Sequence, residues 1–375
     1  MTLTPTRLTL DDLFAAADLT AAIEAGHVTR KAHPSLPISI YTYTPVCQYG
    51  HIWTPVTMRC RGLIADDASG EIVALPFPKI FVTAMHGRHD FAPTLPGEPF
   101  EVFEKADGSL AIVFHHAGRW HAASKGSFIS EQARWAQRVL DRADTGGLDE
   151  GVTYLAEAIY PGNRIVVDYG ARQDLVLLGA YRPADGTEVE LSQAAAHWAP
   201  IGSVVRSWGF GSDVPELEER AAADTSMDGA PVGGTQEEGY VIRFASGVRA
   251  KLKLSAYLGL HRLYTGTNER TVWEALAAGR EPGTLFDRVP DEFRDWVEQI
   301  ATRQREQVAG FVAGVEAEFA RIPAGLDRKA FAAEAGRASR PGAMFRLYDG
   351  RDVLDMAWRS VRPRGDAPFK TDEEG

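Results

Sequence analysis

The chain has 375 residues, 45% hydrophobic and 24% charged, with a formal net charge of −11. That length exceeds the usual single domain of about 100–200 residues, so a large domain plus a smaller one is expected, and the balanced composition excludes a disordered or low-complexity chain. The acidic charge excludes broad coating of DNA or RNA, because nonspecific affinity comes from phosphate neutralisation by Lys and Arg; any nucleic-acid role needs a local basic groove.

The N-terminus has no basic leader followed by an apolar run, and no stretch of about 18 apolar residues occurs, so a cytoplasmic protein with no membrane partner is expected. Residues 8–25, LTLDDLFAAADLTAAIEA, carry apolar positions at helical spacing after a threonine and two aspartates, which predicts a helical lead-in. From about residue 37 the pattern becomes short β-rich runs separated by Gly, Pro and Asp: ISIYTYTPV, RGLIADD, EIVALPF, FEVFEK, LAIVFHH and RWHAAS. Residues 127–143 predict a helix with Ile129, Ala133, Ala136, Val139 and Leu140 on one face. Strands are predicted again in VTYLAEAIY, RIVVDYG and DLVLLGAYR, and residues 223–236 predict a flexible loop before the strand pair EGYVIRF and GVRAKLKL. Beyond about residue 255, LGLHRLY, TVWEALAA, residues 293–322 and residues 344–361 all have helical spacing, and residues 363–375 read as a disordered tail. The expectation is an α+β protein. An antiparallel-sheet domain over 1–258 is followed by an all-helical domain over 259–362.

Cys47 and Cys60 are the two cysteines, too few for a disulfide framework and without the partners of a zinc site. The ten histidines are scattered, and His115 and His116 sit where a hairpin surface is expected. Chemistry concentrates instead in FEKADGSLAIVF, residues 103–114, where a strand delivers Lys105 to a glycine turn. Gly108 would let backbone amides approach a ligand closely, and Ser109 adds a hydroxyl donor. A lysine that attacks phosphorus must be neutral, whereas a free lysine has a pKa of about 10.4. Burial and neighbouring cations lower that value, and Arg61, Lys79, Lys251 and Lys253 are candidates for those cations. Taken alone, K-x-D-G fits an exposed lysine beside a hairpin turn better than a nucleophile. Lys251 and Lys253, two apart on a strand, point to one face and can reach one pocket, although a solvated edge strand would show the same pattern.

Six ordered segments between residues 59 and 253 carry a resemblance. They are RCRGL with the later PKIF, KADGS, ASKGS, YLAEAIYPGNRIV, EEGYV and RAKLK, and together they resemble the covalent nucleotidyltransferase superfamily of ligases and capping enzymes. The closest likeness is to the RNA ligase family typified by RNA ligase 1 of bacteriophage T4. The resemblance implies an ATP-grasp-like ligase domain in which Lys105 forms a phosphoramide bond to AMP. It further implies that Glu104, Asp107, Gly108, Ser109, Arg61, Lys79, Lys125, Glu157, Glu238, Lys251 and Lys253 contact the nucleotide, and that Glu157 and Glu238 bind Mg²⁺ or Mn²⁺. ATP is the implied nucleotide and RNA ends, single-stranded or from a broken tRNA, the implied partner; an end-healing kinase or phosphatase is a candidate partner, and a monomer is expected. The chain departs from the family pattern at KIFVTAM, where asparagine often follows the K-F-F run, and its C-terminal helices match no motif. A DNA ligase, a capping-type nucleotidyltransferase and a catalytically silent RNA-end-binding protein stay open as alternatives.

Overall fold

The computed structural model describes residues 7–49, 51–258, 260, 269–280 and 291–363. Two compact units divide between residues 259 and 260.

The first unit contains three sheets. Strands β1 (Val28–Ala32), β2 (Ile38–Tyr43), β3 (Arg61–Asp66) and β4 (Ile72–Ala74) form an antiparallel meander in chain order. The second sheet takes β7 (Ser109–His116), β8 (Arg119–Ser124), β9 (Thr153–Ile159), β10 (Asp174–Tyr181) and β11 (Glu188–Val189) in the antiparallel order β11-β10-β9-β7-β8. The third joins β5 (Phe81–Val82), β6 (Phe100–Glu104), β12 (Ser207–Gly211), β13 (Gly239–Phe244) and β14 (Arg249–Lys253) in the order β12-β6-β13-β14-β5; only the short β14–β5 pair is parallel.

The apolar runs explain this layering. Strand β7 reads SLAIVFHH and is buried over its first six residues, because both of its faces are covered. Leu110, Ile112 and Phe114 join the core shared with the first sheet, while Ala111 and Val113 join the core under Trp135, Ala136, Leu140 and Trp198. Those last residues come from helices Glu131–Leu140 and Leu191–Trp198. The first begins where Ser130 accepts the Ala133 N–H at 3.2 Å, an N-cap that satisfies one orphan donor of the opening turn. Ile129, placed on the buried face from sequence, precedes the helix and is 54% exposed. The third sheet meets the second through Phe103, Ile159 and Val176, leaving a cleft lined on one side by Leu110, Glu157 and Leu178 and on the other by Lys105, Val241 and Lys251.

Several elements differ from the sequence reading. The lead-in splits into Leu10–Leu13 and Ala16–Glu24, because Phe14 is extended and buries its ring in the core. RIVVDYG is irregular instead of a strand, and two of its amides serve the Asp107 carboxylate. The 223–236 loop is tied internally, with Ser226 and Val232 donating backbone bonds at 2.8 Å to Ala230 and Asp224. In the second unit the described elements are all helices: Glu269–Ala277, Asp291–Phe319, Arg328–Ala335, Pro341–Tyr348 and Leu354–Ser360. Residues 344–361 break into two helices at Gly350, whose φ of +70° suits the left-handed stop of a helix. Val315, Phe331, Ala335, Ala343, Met344 and Val353 form its core. Most of LGLHRLY and all but the first residue of the 363–375 tail lie outside the described residues.

Candidate active site

Strand β6 ends at Glu104, but its ladder extends one residue further: the Glu104 N–H donates to the Arg206 carbonyl and the Lys105 N–H to the Gly239 carbonyl, both at 2.9 Å. The backbone of Lys105 is therefore fixed before the glycine turn begins. Its ammonium donates to Glu238 Oε2 at 2.5 Å, and Lys253 Nζ lies 2.8 Å from Glu238 Oε1. Glu238 immediately precedes β13 and is only 3% exposed, so its charge is held by two lysines in place of water.

Asp107 and Ser109, read from sequence as nucleotide contacts, are turned into the protein. Asp107 Oδ2 accepts the N–H groups of Val166 and Val167 at 2.9 and 2.8 Å, and Oδ1 accepts the Tyr257 hydroxyl at 2.9 Å. Its own N–H donates to the Tyr169 hydroxyl at 2.9 Å. The buried Ser109 donates to Asn163 Oδ1 at 2.9 Å, and Asn163 in turn donates to the Ala158 carbonyl at 2.8 Å. These two side chains therefore anchor the turn behind Lys105. A Cβ at Gly108 would meet the Ala158 carbonyl oxygen at 2.6 Å and Glu157 Cγ at 3.1 Å, so the glycine lets the turn lie against β9.

Arg61, Lys79, Lys105, Lys251, Glu104 and Glu157 line one pocket together with Tyr43. Lys79 Nζ lies 4.4 Å from the Trp53 ring centroid and 5.0 Å from that of Tyr43, and Lys125 Nζ lies 5.1 Å from Tyr43. Burial, with Arg61 and Lys125 adding repulsion, pushes the Lys79 amine down to about 8. Burial pushes Lys251 well below the ordinary lysine range, reinforced by Lys105, Lys79, Arg61 and Lys253. Lys105 moves the other way. Burial works against its charge, yet Glu238 above all, with Glu157 and Asp107, outweighs burial and raises its pKa. The expectation that neighbouring cations depress Lys105 is thus corrected: the crowding falls on Lys251 and Lys79, while Lys105 is the lysine given carboxylates.

A buried amine whose charged form is disfavoured costs stability. Lys251→Met should raise the thermal midpoint by about 2–4 °C, the equivalent of about 1 kcal/mol in a domain of this size, while weakening nucleotide labelling. Scanning calorimetry of both proteins without nucleotide checks this, and an unchanged or lower midpoint would refute the crowding of Lys251.

Among the described residues no group of three or more His, Cys, Asp or Glu converges as a metal cage. A hydrated Mg²⁺ needs only one or two carboxylates; of the two candidates, Glu157 lines the pocket, while both Glu238 oxygens already meet ammonium groups. A cation drawn to Glu238 would meet the ammonium charges of Lys105 and Lys253 there.

The model of the RNA ligase family, of the T4 RNA ligase 1 type, matches residues 59–258, more than half of the chain, and covers every lining residue named above except Tyr43. The chain belongs to the RNA ligase family. Outside the family model, it is 26% identical over 232 residues to a candidate bifunctional polynucleotide kinase/RNA ligase of Autographa californica nuclear polyhedrosis virus; the match covers 56% of this chain and 31% of the viral protein. Among solved structures, an RNA ligase of Naegleria gruberi aligns with a TM-score of 0.38 at 18% identity, covering 44% of this chain and 52% of that one. A candidate ATP-dependent DNA ligase of Aquifex aeolicus aligns with a TM-score of 0.44 at 17% identity, covering 76% and 70%. The chain thus spans about half of the Naegleria chain and a third of the viral protein.

In this RNA ligase family member the fold brings Arg61, Lys79, Glu104, Lys105, Glu157 and Lys251 to the pocket wall, with Glu238 and Lys253 joined to Lys105 through ion pairs. Sequence reasoning missed Tyr257, Tyr169 and Asn163, which fix the turn. The N-R-I-V run held part of that signal, since Asn163, Val166 and Val167 all lie in or beside it. It also missed Glu188, which accepts from Arg243 Nε at 3.0 Å and from both terminal nitrogens of Arg249, bridging β11 to the β13–β14 hairpin beside the pocket.

Proposed function

We propose that the chain is an ATP-dependent RNA ligase that joins 3′-hydroxyl and 5′-phosphate RNA ends through AMP carried on Lys105. One observation carries this reading: the Lys105 amine is held by Glu238 in the same pocket as Arg61, Lys79 and Lys251, three cations that no carboxylate within 4 Å neutralises among the described residues. Such a wall is built for an anion of high charge, and triphosphate is the anion a nucleophilic lysine would need beside it.

In the first step the Lys105 nitrogen forms a bond to the α-phosphorus while the bond to pyrophosphate breaks. AMP then moves to the 5′-phosphate of an RNA end, and the 3′-hydroxyl of the other end displaces it to form the phosphodiester. Negative charge gathers on phosphoryl oxygens in each step, where fixed cations supply most of the stabilisation. Mg²⁺ or Mn²⁺ on Glu157 and Glu238 would add to that stabilisation and draw the Glu238 charge away from Lys105. Asp107, Ser109 and Gly108 position the turn, and Glu104 presents its carboxylate to the nucleotide cavity. The proposal extends to the helical second unit as a recogniser of broken tRNA, with covering the ligase domain as the alternative role, and to an end-healing kinase or phosphatase that would supply the ends.

Joining assays with a nicked tRNA anticodon loop, a linear single strand and a nicked DNA duplex, each with Mg²⁺ and with Mn²⁺, test the reading. Sealing of the RNA substrates is expected, fastest for the nicked loop. Preferential sealing of the DNA nick would replace RNA ligase with DNA ligase.

A further inference from the structure

Away from the pocket lining, three rings of the first unit lie with nearly parallel planes. His89 and Phe91 have centroids 4.9 Å apart and planes 6° apart, and His51 is 6.5 Å from His89 and 6.4 Å from Phe91 with planes 14° and 19° off theirs. His51 and His89 are exposed and Phe91 is half-buried. The set continues inward: Phe91 to Phe81 at 5.1 Å, Phe81 to Trp53 at 5.7 Å, and Lys79 Nζ 4.4 Å from the Trp53 centroid. The exposed rings are thus the outer rim of the aromatic wall whose inner end carries a pocket cation. His51 also holds a φ of +52°, a conformation that costs a non-glycine residue and that surrounding structure must maintain.

We infer that His51, Phe91 and His89 form a stacking platform for the nucleobases that follow the 5′-phosphate of a single-stranded RNA end. This rests on the RNA-joining reading. A 5′-phosphate drawn to Arg61, Lys79 and Lys251 leaves its own nucleosides outside the pocket, and the wall leading outward from Lys79 ends in these rings. Parallel aromatic faces match unstacked bases irrespective of sequence, because every base has a π-face. Exposed Arg88, adjacent to His89 in the chain, offers charge for the backbone. Stacking also answers the acidic composition: it adds affinity without a positive body, in a chain of net charge −11.

The test uses the full chain with a short 5′-phosphorylated single-stranded RNA. The double variant His51→Ala/His89→Ala should bind this RNA roughly 10-fold or more weakly, with labelling by ATP unchanged. His51→Phe/His89→Phe should bind as the unmodified protein does, and an RNA lacking the bases beside its 5′-phosphate should bind all three proteins alike. His89→Ala alone, which leaves the strained backbone at 51 untouched, should show part of the loss and guards against misfolding. Equal affinity of the alanine variants, a phenylalanine variant as weak as alanine, or the same loss on the base-free RNA would each overturn the platform. Platform-dependent binding by a protein that joins no RNA would refute the joining reading alone; normal joining and binding without the platform would refute the platform alone.

Discussion

Lys105→Ala is expected to abolish covalent labelling of the protein by α-phosphate-labelled ATP, and with it all RNA joining, because among the described residues only Lys105 both lines the pocket and pairs with Glu238. The rival is Lys251, whose burial among cations pushes its pKa far down and so leaves it the more readily neutral amine. Neutrality alone does not make a nucleophile. Lys105 has a carboxylate fixing its nitrogen at 2.5 Å and a backbone pinned by β13, whereas Lys251 has no carboxylate within 4 Å among the described residues. The unmodified protein should label faster as pH rises through the alkaline range, since Glu238 and its neighbours raise the Lys105 pKa and only the unprotonated amine attacks. Label persisting on Lys105→Ala, mapped by peptide analysis to Lys251, would transfer the nucleophile's role to that residue. A rate indifferent to pH would show that deprotonation of Lys105 does not limit labelling.

Glu238→Gln is expected to slow labelling by roughly 100-fold, the scale of losing one fixed charge at a phosphoryl-transfer centre. Two effects oppose each other. Removing the charge lets the Lys105 pKa fall, which favours the neutral amine, but it also releases the ammonium pair from one buried anchor and deletes half of the carboxylate set suited to a divalent cation. Placement and charge should win at neutral pH, while the rising limb of the pH–rate profile moves to lower pH. Stability falls as well, by about 3–5 kcal/mol, because two lysines lose the buried anion between them. The signs set the window. Lys105 is raised in the fold, so its contribution is present below the free lysine value of about 10.4 and lost as pH rises past its folded pKa. Burial works to raise Glu238, but Lys105 and Lys253 outweigh it and hold the carboxyl below the usual range, so its contribution is present above about 4.3 and lost as pH falls past its folded pKa. The pair's contribution in the unmodified protein should therefore be flat across roughly pH 4.3–10.4, and the stability difference between the two proteins should narrow from the pH at which the variant's lowered Lys105 releases its proton. Denaturant titrations at several pH values measure it; a Gln variant with undiminished labelling and stability would show that Glu238 neither anchors the two lysines nor supports the transfer.

The sequence by itself determined the parts that depend on near neighbours in the chain. The six-residue buried run of β7, the alternation that sends Lys251 and Lys253 to one face of β14, and the capped helix after Ser130 are all set by side-chain period and local hydrogen bonding. The order of the short segments around Lys105 likewise pointed to RNA ligases, and the family model agrees over residues 59–258. Tertiary structure decided whatever depends on distant partners. Asp107 is satisfied by amides 59 and 60 residues away and by a hydroxyl 150 residues away, so no local pattern could reveal that it faces inward or that RIVV forgoes a strand to serve it. The charge state of Lys105 was read the wrong way round for the same reason. A pKa sums over every charge the fold brings near, and Glu238, 133 residues distant, sits closest of all. Periodicity is a property of the chain, whereas an electrostatic environment exists only after the sheets have packed.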